Sequence, residues 1–290
     1  MGNTILAQVV VRTALFYFTL GGICQTIHAQ SEIRFRLVHN TVVIVSLTAG
    51  RQGPFDFVLD TGADTTIVDP SISVQLSFLP LDQVSQTTLA RVRTLRRGLI
   101  PILSLGTANA ENVMVLVQDL AEVRKLDPGV EGIAGQSFLS HFNYLLDYRR
   151  RRLRVEQANE IEKSLKGDHV AIKAVGNRML IDSVGQSRKR AELLLLLDSG
   201  ANSLVLLRTA SQMLDIPAKQ IGLETTTDGH VEVAVGYIKK LTIGSQQFRD
   251  VPVALPRSEE VGRIEDGLLP MALFQAVYVN NRNGFAVFNP

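Results

Sequence analysis

The chain contains the same short pattern twice: an apolar run that ends in an aspartate, a small hydroxyl residue and a glycine. The first copy is FDFVLDTGAD, residues 55–64, and the second is LLLLLDSGAN, residues 193–202. Burying a carboxylate at the end of an apolar run is costly unless it is paired or hydrogen-bonded, so such an aspartate serves either structure or chemistry. One copy would not distinguish the two roles, but two copies predict a repeated unit.

The two copies belong to a longer internal repeat. LSLGTANAENVMVLV in the first half corresponds to LTIGSQQFRDVPVAL in the second, and EGIAGQSFLSHFNYLLDYRRRRLRV corresponds to DGLLPMALFQAVYVNNRNGFAVF. The aligned positions are Asp60 with Asp198 and Gly106 with Gly244, each 138 residues apart, and Gly132 with Gly267, 135 residues apart. Three blocks in one order at nearly constant spacing predict two copies of one lobe.

The local patterns predict an all-β protein with two similar β-barrel-like lobes and a few short helices. Apolar runs of strand length alternate with turn signals such as TAGRQGP, DPGVEG and NNRNG. Short helices are expected only near QSFLSHF, RTASQML and MALFQAV, and hairpins near TLARVRTLRRGLI, TTTDGHVEVAVGY and the turn at residues 149–152. The predicted organisation is lobe one at 30–155, a polar linker at 156–168 and lobe two at 169–290.

The N-terminal segment resembles an export signal over residues 1–29. TALFYFTLGGIC is short for a membrane span, and QTIHAQ offers a cleavage point after Ala29. Because the apolar character reaches back towards the N-terminus, an uncleaved anchor over residues 5–24 is the alternative, and both predict an extracytoplasmic body. Cys24 is the only cysteine and lies within the signal, so the mature chain would contain neither a disulfide nor a thiol nucleophile.

Charge and histidine spacing exclude other classes of function. A formal net charge of +2 over 290 residues gives no electrostatic case for a nucleic-acid partner. The five histidines show no paired ligand spacing, so neither a metal site nor a cofactor is expected.

The repeated triplet has a chemical consequence if the two copies face each other. Glycine lets each loop approach another backbone, and the small hydroxyl can hydrogen-bond to the opposite loop. Two carboxylates in one small site hold a proton between them over a broad pH range. The ionised member can then take a proton from water while the protonated member donates to a carbonyl oxygen.

LDTGAD and LDSGAN, followed downstream by GIAG and GLLP, resemble the motifs of the two-lobed aspartic peptidases. Their local sequence is closer to that of the retropepsin-like group. The resemblance covers nearly all of residues 31–290, and Ile133-Ala134-Gly135 matches the family's hydrophobic-hydrophobic-Gly segment. The roles that the resemblance implies are catalysis by Asp60 and Asp198, support of the loops by Thr61, Gly62, Ser199 and Gly200, and substrate binding by Asp64 and Asn202.

The sequence also departs from that family. Lobe two has Pro270 where the family has glycine, and proline lacks an N–H and fixes φ. Asn202 replaces the aspartate found at Asp64 in lobe one, and Ala63 and Ala201 carry no hydroxyl for the carboxylates. Two functions therefore stay open: an exported aspartic endopeptidase that acts as a monomer on peptides or proteins, and an inactive two-lobed module that binds peptides or a protein.

Overall fold

The computed structural model describes residues 31–87, 92–156, 158–217, 220–226, 229–256 and 263–290. The predicted signal, with Cys24 and Ala29, lies outside these residues. Within the ranges described, no helix has the length and apolar character needed to cross a membrane.

Lobe one consists mainly of strands that fold back on themselves. One sheet has the order β2-β3-β4-β9-β5-β8-β7-β6, and β3 also pairs with β7, so the sheet curls into a barrel-like unit. The elements are β1 Ser31–Arg34, β2 Arg36–Val38, β3 Val42–Ala49, β4 Gln52–Leu59, β5 Thr66–Val68, α1 Pro70–Ser73, β6 Leu79–Thr87, β7 Val92–Leu105, β8 Ala108–Val117, α2 Ala121–Arg124, β9 Val130–Ala134, α3 Gln136–Leu139, β10 Asn143–Asp147 and β11 Arg152–Glu156.

Lobe two repeats this arrangement. Its strands follow the order β13-β14-β19-β15-β18-β17-β16, and β13 also pairs with β17, as β3 does with β7. The elements are a 3-10 helix Glu162–Ser164, β12 Val170–Val175, β13 Arg178–Gln186, β14 Arg190–Asp198, β15 Leu204–Leu206, α4 Arg208–Met213, β16 Gln220–Thr226, β17 Gly229–Ile243, β18 Gln246–Pro256, β19 Gly267–Pro270, a 3-10 helix Met271–Leu273, β20 Ala276–Asn280 and β21 Phe285–Phe288.

Strands from both halves build a shared sheet at the base of the molecule. Its order is β1-β11-β10-β20-β21-β12, in which β10 of the first half pairs antiparallel with β20 of the second. The segment predicted as a linker packs on this sheet, because Ile161 is fully buried among Leu145, Tyr278 and neighbouring apolar side chains. The two lobes are therefore joined by a continuous sheet and a common core.

The strands that end at the repeated aspartates are mostly buried over the residues that lead into each aspartate. Phe57 and Leu59 of β4 and Leu195 and Leu197 of β14 have no exposed surface. Each of these strands lies between two other strands in its sheet and is covered by core on its apolar faces, which agrees with their near-continuous apolar sequence.

The predictions of β-rich lobes and of hairpins are confirmed, and the helix predictions are partly right. α3 and α4 form where expected, whereas MALFQAV contains only a 3-10 turn, and α1 and α2 were not predicted. α1 begins at a capping aspartate, Asp69, whose side chain accepts a hydrogen bond from the Ser71 N–H. The β6–β7 and β16–β17 hairpins are present, although the tip residue Asp228 lies outside the described residues.

Candidate active site

The two repeated aspartates stand at equivalent places in the two lobes. In lobe one, β9 lies between β4 and β5, and the Asp60 N–H donates to the Ala134 carbonyl at 3.0 Å. In lobe two, β19 lies between β14 and β15, and Asp198 pairs with Pro270. Each aspartate is thus delivered to a loop by a buried strand and supported from below by another strand.

Thr61 and Ser199 tie the two loops together by reciprocal hydrogen bonds. The Thr61 N–H donates to the Ser199 hydroxyl at 3.0 Å, and the Ser199 N–H donates to the Thr61 hydroxyl at 2.9 Å. Each hydroxyl then donates at 2.7 Å to a backbone carbonyl of the opposite lobe, Leu197 for Thr61 and Leu59 for Ser199. The predicted hydrogen-bonded bridge between the loops is therefore present in the structure.

Both carboxylates receive the same pair of backbone hydrogen bonds. Asp60 Oδ1 accepts from the N–H groups of Gly62 and Ala63 at 2.9 and 3.2 Å. Asp198 Oδ1 accepts from the N–H groups of Gly200 and Ala201 at 2.8 and 3.0 Å. These bonds fix the orientation of each carboxylate and favour its ionised form.

Glycine is required in both triplets because each carboxylate lies against the opposite loop. A Cβ atom on Gly62 would lie 2.5 Å from Cγ of Asp198, and a Cβ atom on Gly200 would lie 2.7 Å from Cγ of Asp60. Neither distance is compatible with a side chain. The glycines therefore bring Asp60 and Asp198 together in one site.

The two carboxylates influence each other's ionisation. Desolvation raises the pKa of Asp60 well above its usual range, and the charge of Asp198 raises it further. Burial also raises the pKa of Asp198, while the Gly200 and Ala201 N–H groups, a hydrogen bond with Asp60 and the charge of Arg263 oppose this rise. The pair therefore holds one proton at a pH where two separate aspartates would both be ionised.

Polar groups beneath the loop of lobe one form a hydrogen-bonded set. The Gly135 N–H donates to the Thr66 hydroxyl at 3.2 Å, and the Ser137 hydroxyl lies 3.0 Å from the same oxygen. Gln136, which is buried, donates from Nε2 to the Thr61 carbonyl at 3.1 Å and from its backbone N–H to the Ala63 carbonyl at 2.8 Å. Gln136 thus supports the loop that carries Asp60, a role that sequence reasoning missed although the residue follows the Ile-Ala-Gly segment.

Lobe two replaces this polar set by apolar residues at every equivalent position. Leu59 pairs with Ala134 as Leu197 pairs with Leu269, so the two lobes can be aligned residue by residue. The replacements are Leu204 for Thr66, Pro270 for Gly135, Met271 for Gln136 and Ala272 for Ser137.

This matched replacement explains Pro270. Proline lacks the N–H that Gly135 donates, but Leu204 lacks the hydroxyl that would accept it, so the exchange leaves no buried partner unsatisfied. Gly135 has φ −95°, which other residues also adopt, so glycine is needed there because a side chain would have no space. Pro270 has φ −66°, which lies in the range that proline prefers. The departure at Pro270 is compatible with a well-supported Asp198 loop.

The predicted substrate-binding residues lie at the exposed ends of the two loops. Asp64 and Asn202 are both exposed, and Asp64 contacts Asn177 and Arg178 of lobe two. No sequence signal pointed to Asn177 or Arg178, because the turn that carries them is distant from both triplets in the chain.

The site combines an acid and a base on a rigid support. One carboxyl can donate a proton while the other accepts one, which is the requirement for activating water against a carbonyl group. Among the residues that the structure describes, no three His, Cys, Asp or Glu side chains are gathered in a group that could hold a metal ion.

Comparisons with known proteins agree with this geometry. A family model described as aspartyl protease matches residues 45–138 and 185–273, which together exceed half of the chain and contain both triplets. The structure is similar to the crystal structure of an aspartic proteinase from Irpex lacteus, with a TM-score of 0.55 and 13% sequence identity. That match covers 90% of this chain and 98% of the other, and at this identity it shows the fold. A comparison with curated proteins finds no match.

Proposed function

The chain belongs to the aspartyl protease family, and we propose that it is an endopeptidase that hydrolyses peptide bonds with Asp60 and Asp198 as its catalytic pair. The observation that supports this proposal is the juxtaposition of the two carboxylates, each against the glycine of the other's loop, where burial raises the pKa of both. If Thr61 and Ser199 did not join the two loops, or if the two carboxylates lay apart, the structure would not support this proposal.

The proposed reaction follows from the protonation state of the Asp60 and Asp198 carboxyl groups. The ionised carboxylate takes a proton from a water molecule, whose oxygen attacks the carbonyl carbon of the scissile peptide, while the protonated carboxyl donates to the carbonyl oxygen. The carboxyl that took the proton from water then donates it to the nitrogen of the tetrahedral intermediate, and the other carboxylate takes back a proton from a hydroxyl of the intermediate. The C–N bond breaks, which releases an amine and a carboxylic acid and restores the pair. The backbone N–H groups at residues 62, 63, 200 and 201 hold the carboxylates in place throughout.

A single chain supplies both halves of this site, so we propose that the monomer is active. Asp60 comes from lobe one and Asp198 from lobe two, and the shared base sheet joins the lobes. No second copy is needed to complete the pair.

Cleavage of a peptide library across a range of pH tests the proposal. We expect hydrolysis by the purified monomer and none by the Asp60→Asn variant, which retains the shape of the side chain but not its charge. If the wild-type protein binds peptides in the library but cleaves none at any pH, the chain is a binding module and the proposed catalysis is wrong.

We also propose that the protein is exported and acts outside the cytoplasm. Support comes from the apolar segment and the HAQ sequence at residues 28–30, which lie outside the described residues. N-terminal sequencing of the protein from the extracytoplasmic fraction should give a start at Gln30. Recovery of a soluble cytoplasmic chain with an intact N-terminus would contradict export.

A further inference from the structure

The outer face of the shared base sheet is covered at one end and open at the other. At the end formed by β20 and β21, the segment at 156–168 covers apolar side chains through Ile161. At the other end lie the edge strand β1 and its neighbour β11, where Arg34 stands directly opposite Arg152. Directly opposed residues project from the same face of a sheet, and two like charges in this arrangement are destabilising. Arg154, two residues along β11, lies on the same face, so the open end of the sheet carries a group of arginines.

The turn between β10 and β11 adds three exposed arginines to this group. Backbone hydrogen bonds hold the turn in place: the Arg149 N–H donates to the Gln275 carbonyl at 3.3 Å, and the Phe35 N–H donates to the Arg151 carbonyl at 3.2 Å. We call the whole group the arginine face, which consists of Arg34, Arg149, Arg150, Arg151, Arg152 and Arg154.

Acidic side chains neutralise only part of the arginine face. Asp147 lies 2.8 Å from Nη1 of Arg150, and Glu32 contacts Arg152. Within the described ranges, no carboxylate pairs with the remaining exposed arginines of the face, which are Arg34, Arg149 and Arg151. Six arginines and these two carboxylates give a formal charge of +4, whereas the whole chain has +2, so the rest of the chain has −2. The excess of positive charge is therefore local.

The chain enters the fold next to the arginine face. The apolar segment over residues 5–24 lies outside the described residues, and six residues separate it from Ser31, where β1 begins. Such a connection spans at most about 25 Å. Arg34 is three residues further along the same strand, about 10 Å away. A bilayer that holds the apolar segment, either before cleavage or as an anchor, is therefore within reach of the arginine face.

The two aspartates of the active site lie on the other side of the base sheet. The inner faces of β10 and β11, with Tyr144 and Leu153, pack into the core that also contains Leu59 and Leu197. These two leucines immediately precede the two aspartates. A surface that contacts the arginine face would therefore leave the aspartates accessible from solution.

We propose that the arginine face binds the phosphate groups of an anionic lipid surface and holds the exported protein against a membrane, with its aspartate pair turned towards solution. Arginine suits this role because its planar guanidinium donates paired hydrogen bonds to phosphate. Basic residues close to an anionic bilayer each add to the attraction, and a basic face is an effective second attachment beside an apolar segment. The proposal does not depend on peptide hydrolysis.

Partition of the purified protein into lipid vesicles tests the proposal. One set of vesicles contains phosphatidylcholine alone, and the other contains phosphatidylcholine and phosphatidylglycerol in equal parts. The ratio of the two partition coefficients reports the effect of charge, because an apolar segment contributes to both. We expect the combined variant Arg34→Gln, Arg149→Gln and Arg151→Gln to lower this ratio about 100-fold, or about fivefold for each arginine. Added salt should lower the wild-type ratio.

A matched variant removes three exposed cations from lobe two by Lys189→Gln, Arg190→Gln and Arg249→Gln. Its net charge equals that of the arginine-face variant, and its ratio should stay within about threefold of wild type. Equal losses in the two variants would show that net charge governs binding, and no loss in either would show that the arginine face is not an interface. Aggregation of the arginine-face variant with an unchanged ratio would mean that the arginines only protect the edge strand β1. Each of these results would overturn the proposal.

A single tryptophan reports which side of the protein meets the vesicle, because the chain contains none. Gln275→Trp places it beside the turn of the arginine face, and Gln186→Trp places it at an exposed position of β13. Brominated lipid in the anionic vesicles should quench the first tryptophan and not the second. Quenching of both, of neither or of the second alone would contradict the proposed orientation, and this test retains all six arginines.

Heparin, a soluble polyanion, distinguishes another class of partner. If the arginine-face variant loses affinity for heparin but keeps the wild-type ratio of partition coefficients, the face binds a soluble polyanion and the membrane proposal is wrong. If the ratio falls as expected and the tryptophan at residue 275 is quenched, the membrane proposal stands whatever the affinity for heparin.

Discussion

Thr61 and Ser199 exchange backbone-to-hydroxyl hydrogen bonds across the boundary between the lobes, and each hydroxyl also donates to a carbonyl of the opposite lobe. Thr61 is 1% exposed and Ser199 fully buried. Four hydrogen bonds without access to water hold the two aspartates in register, so the geometry of the pair depends on residues that do not touch a substrate.

Ser199→Ala should lower the free energy of unfolding by about 2–3 kcal/mol, because the variant leaves the buried Thr61 N–H and Leu59 carbonyl without their partner. Chemical denaturation measures this. Ser211→Ala, which removes an exposed hydroxyl bonded to the Arg208 carbonyl, is the matched control and should change stability by less than about 0.5 kcal/mol. Equal effects of the two substitutions would contradict the importance of the bridge.

Asp60→Asn and Asp198→Asn should each reduce hydrolysis by about 10³-fold or more, and the double variant should be scarcely worse than either. The reason is that the carboxylates act as one unit that shares a proton. Rates measured over a range of enzyme concentrations should rise linearly. A quadratic rise, or normal turnover by Asp198→Asn, would mean that the lobes of one chain do not form one site.

Asp60→Asn should also raise the unfolding temperature at neutral pH by a few degrees. The folded-state pKa of Asp60 is raised, so its contribution to stability is full at low pH and is lost as pH rises through that pKa. Asparagine removes the penalty of a second charge in the site. The difference should vanish in acid well below the ordinary aspartate pKa, and a difference that persists there would point to another cause.

Ala63→Ser and Ala201→Ser should each move the acidic limb of the pH-rate profile downwards by roughly half a pH unit. The new hydroxyl would donate to the carboxylate next to it, which already accepts from the backbone N–H of the same residue, and so would stabilise the ionised form. Ala171→Ser at an exposed position is the control. An unmoved limb in well-folded variants would count against this account of the pair.

Pro270→Gly should leave kcat/KM within about twofold of wild type and lower the free energy of unfolding by about 0.4–1 kcal/mol, because glycine increases the entropy of the unfolded chain. We expect little change in kcat/KM because Leu204 offers no acceptor for the backbone N–H that glycine would restore. Steady-state kinetics and denaturation measure the two effects. A large gain in activity would show that Pro270 impairs the Asp198 loop.

The sequence alone was sufficient to predict the strand-rich lobes, their duplication and the pairing of Asp60 with Asp198. This information is local and repeated: each apolar run specifies a buried strand, and the constant spacing between the two halves places both triplets at equivalent strand ends. The short helices were less predictable, since α1 depends on the Asp69 cap and on packing, and too few residues are involved for helical periodicity to be visible.

Only the tertiary structure decided how the site is supported. Gln136 is 75 residues from the Thr61 carbonyl that it holds, and Arg178 is 114 residues from Asp64, whose carboxylate it contacts. The exchange at Pro270 likewise depends on Leu204, which belongs to a different strand and offers no acceptor for the missing N–H. Hydrogen bonds and ion pairs of this kind require atoms to meet within about 3 Å, and the sequence pattern carries no record of which distant side chains the fold brings to that distance.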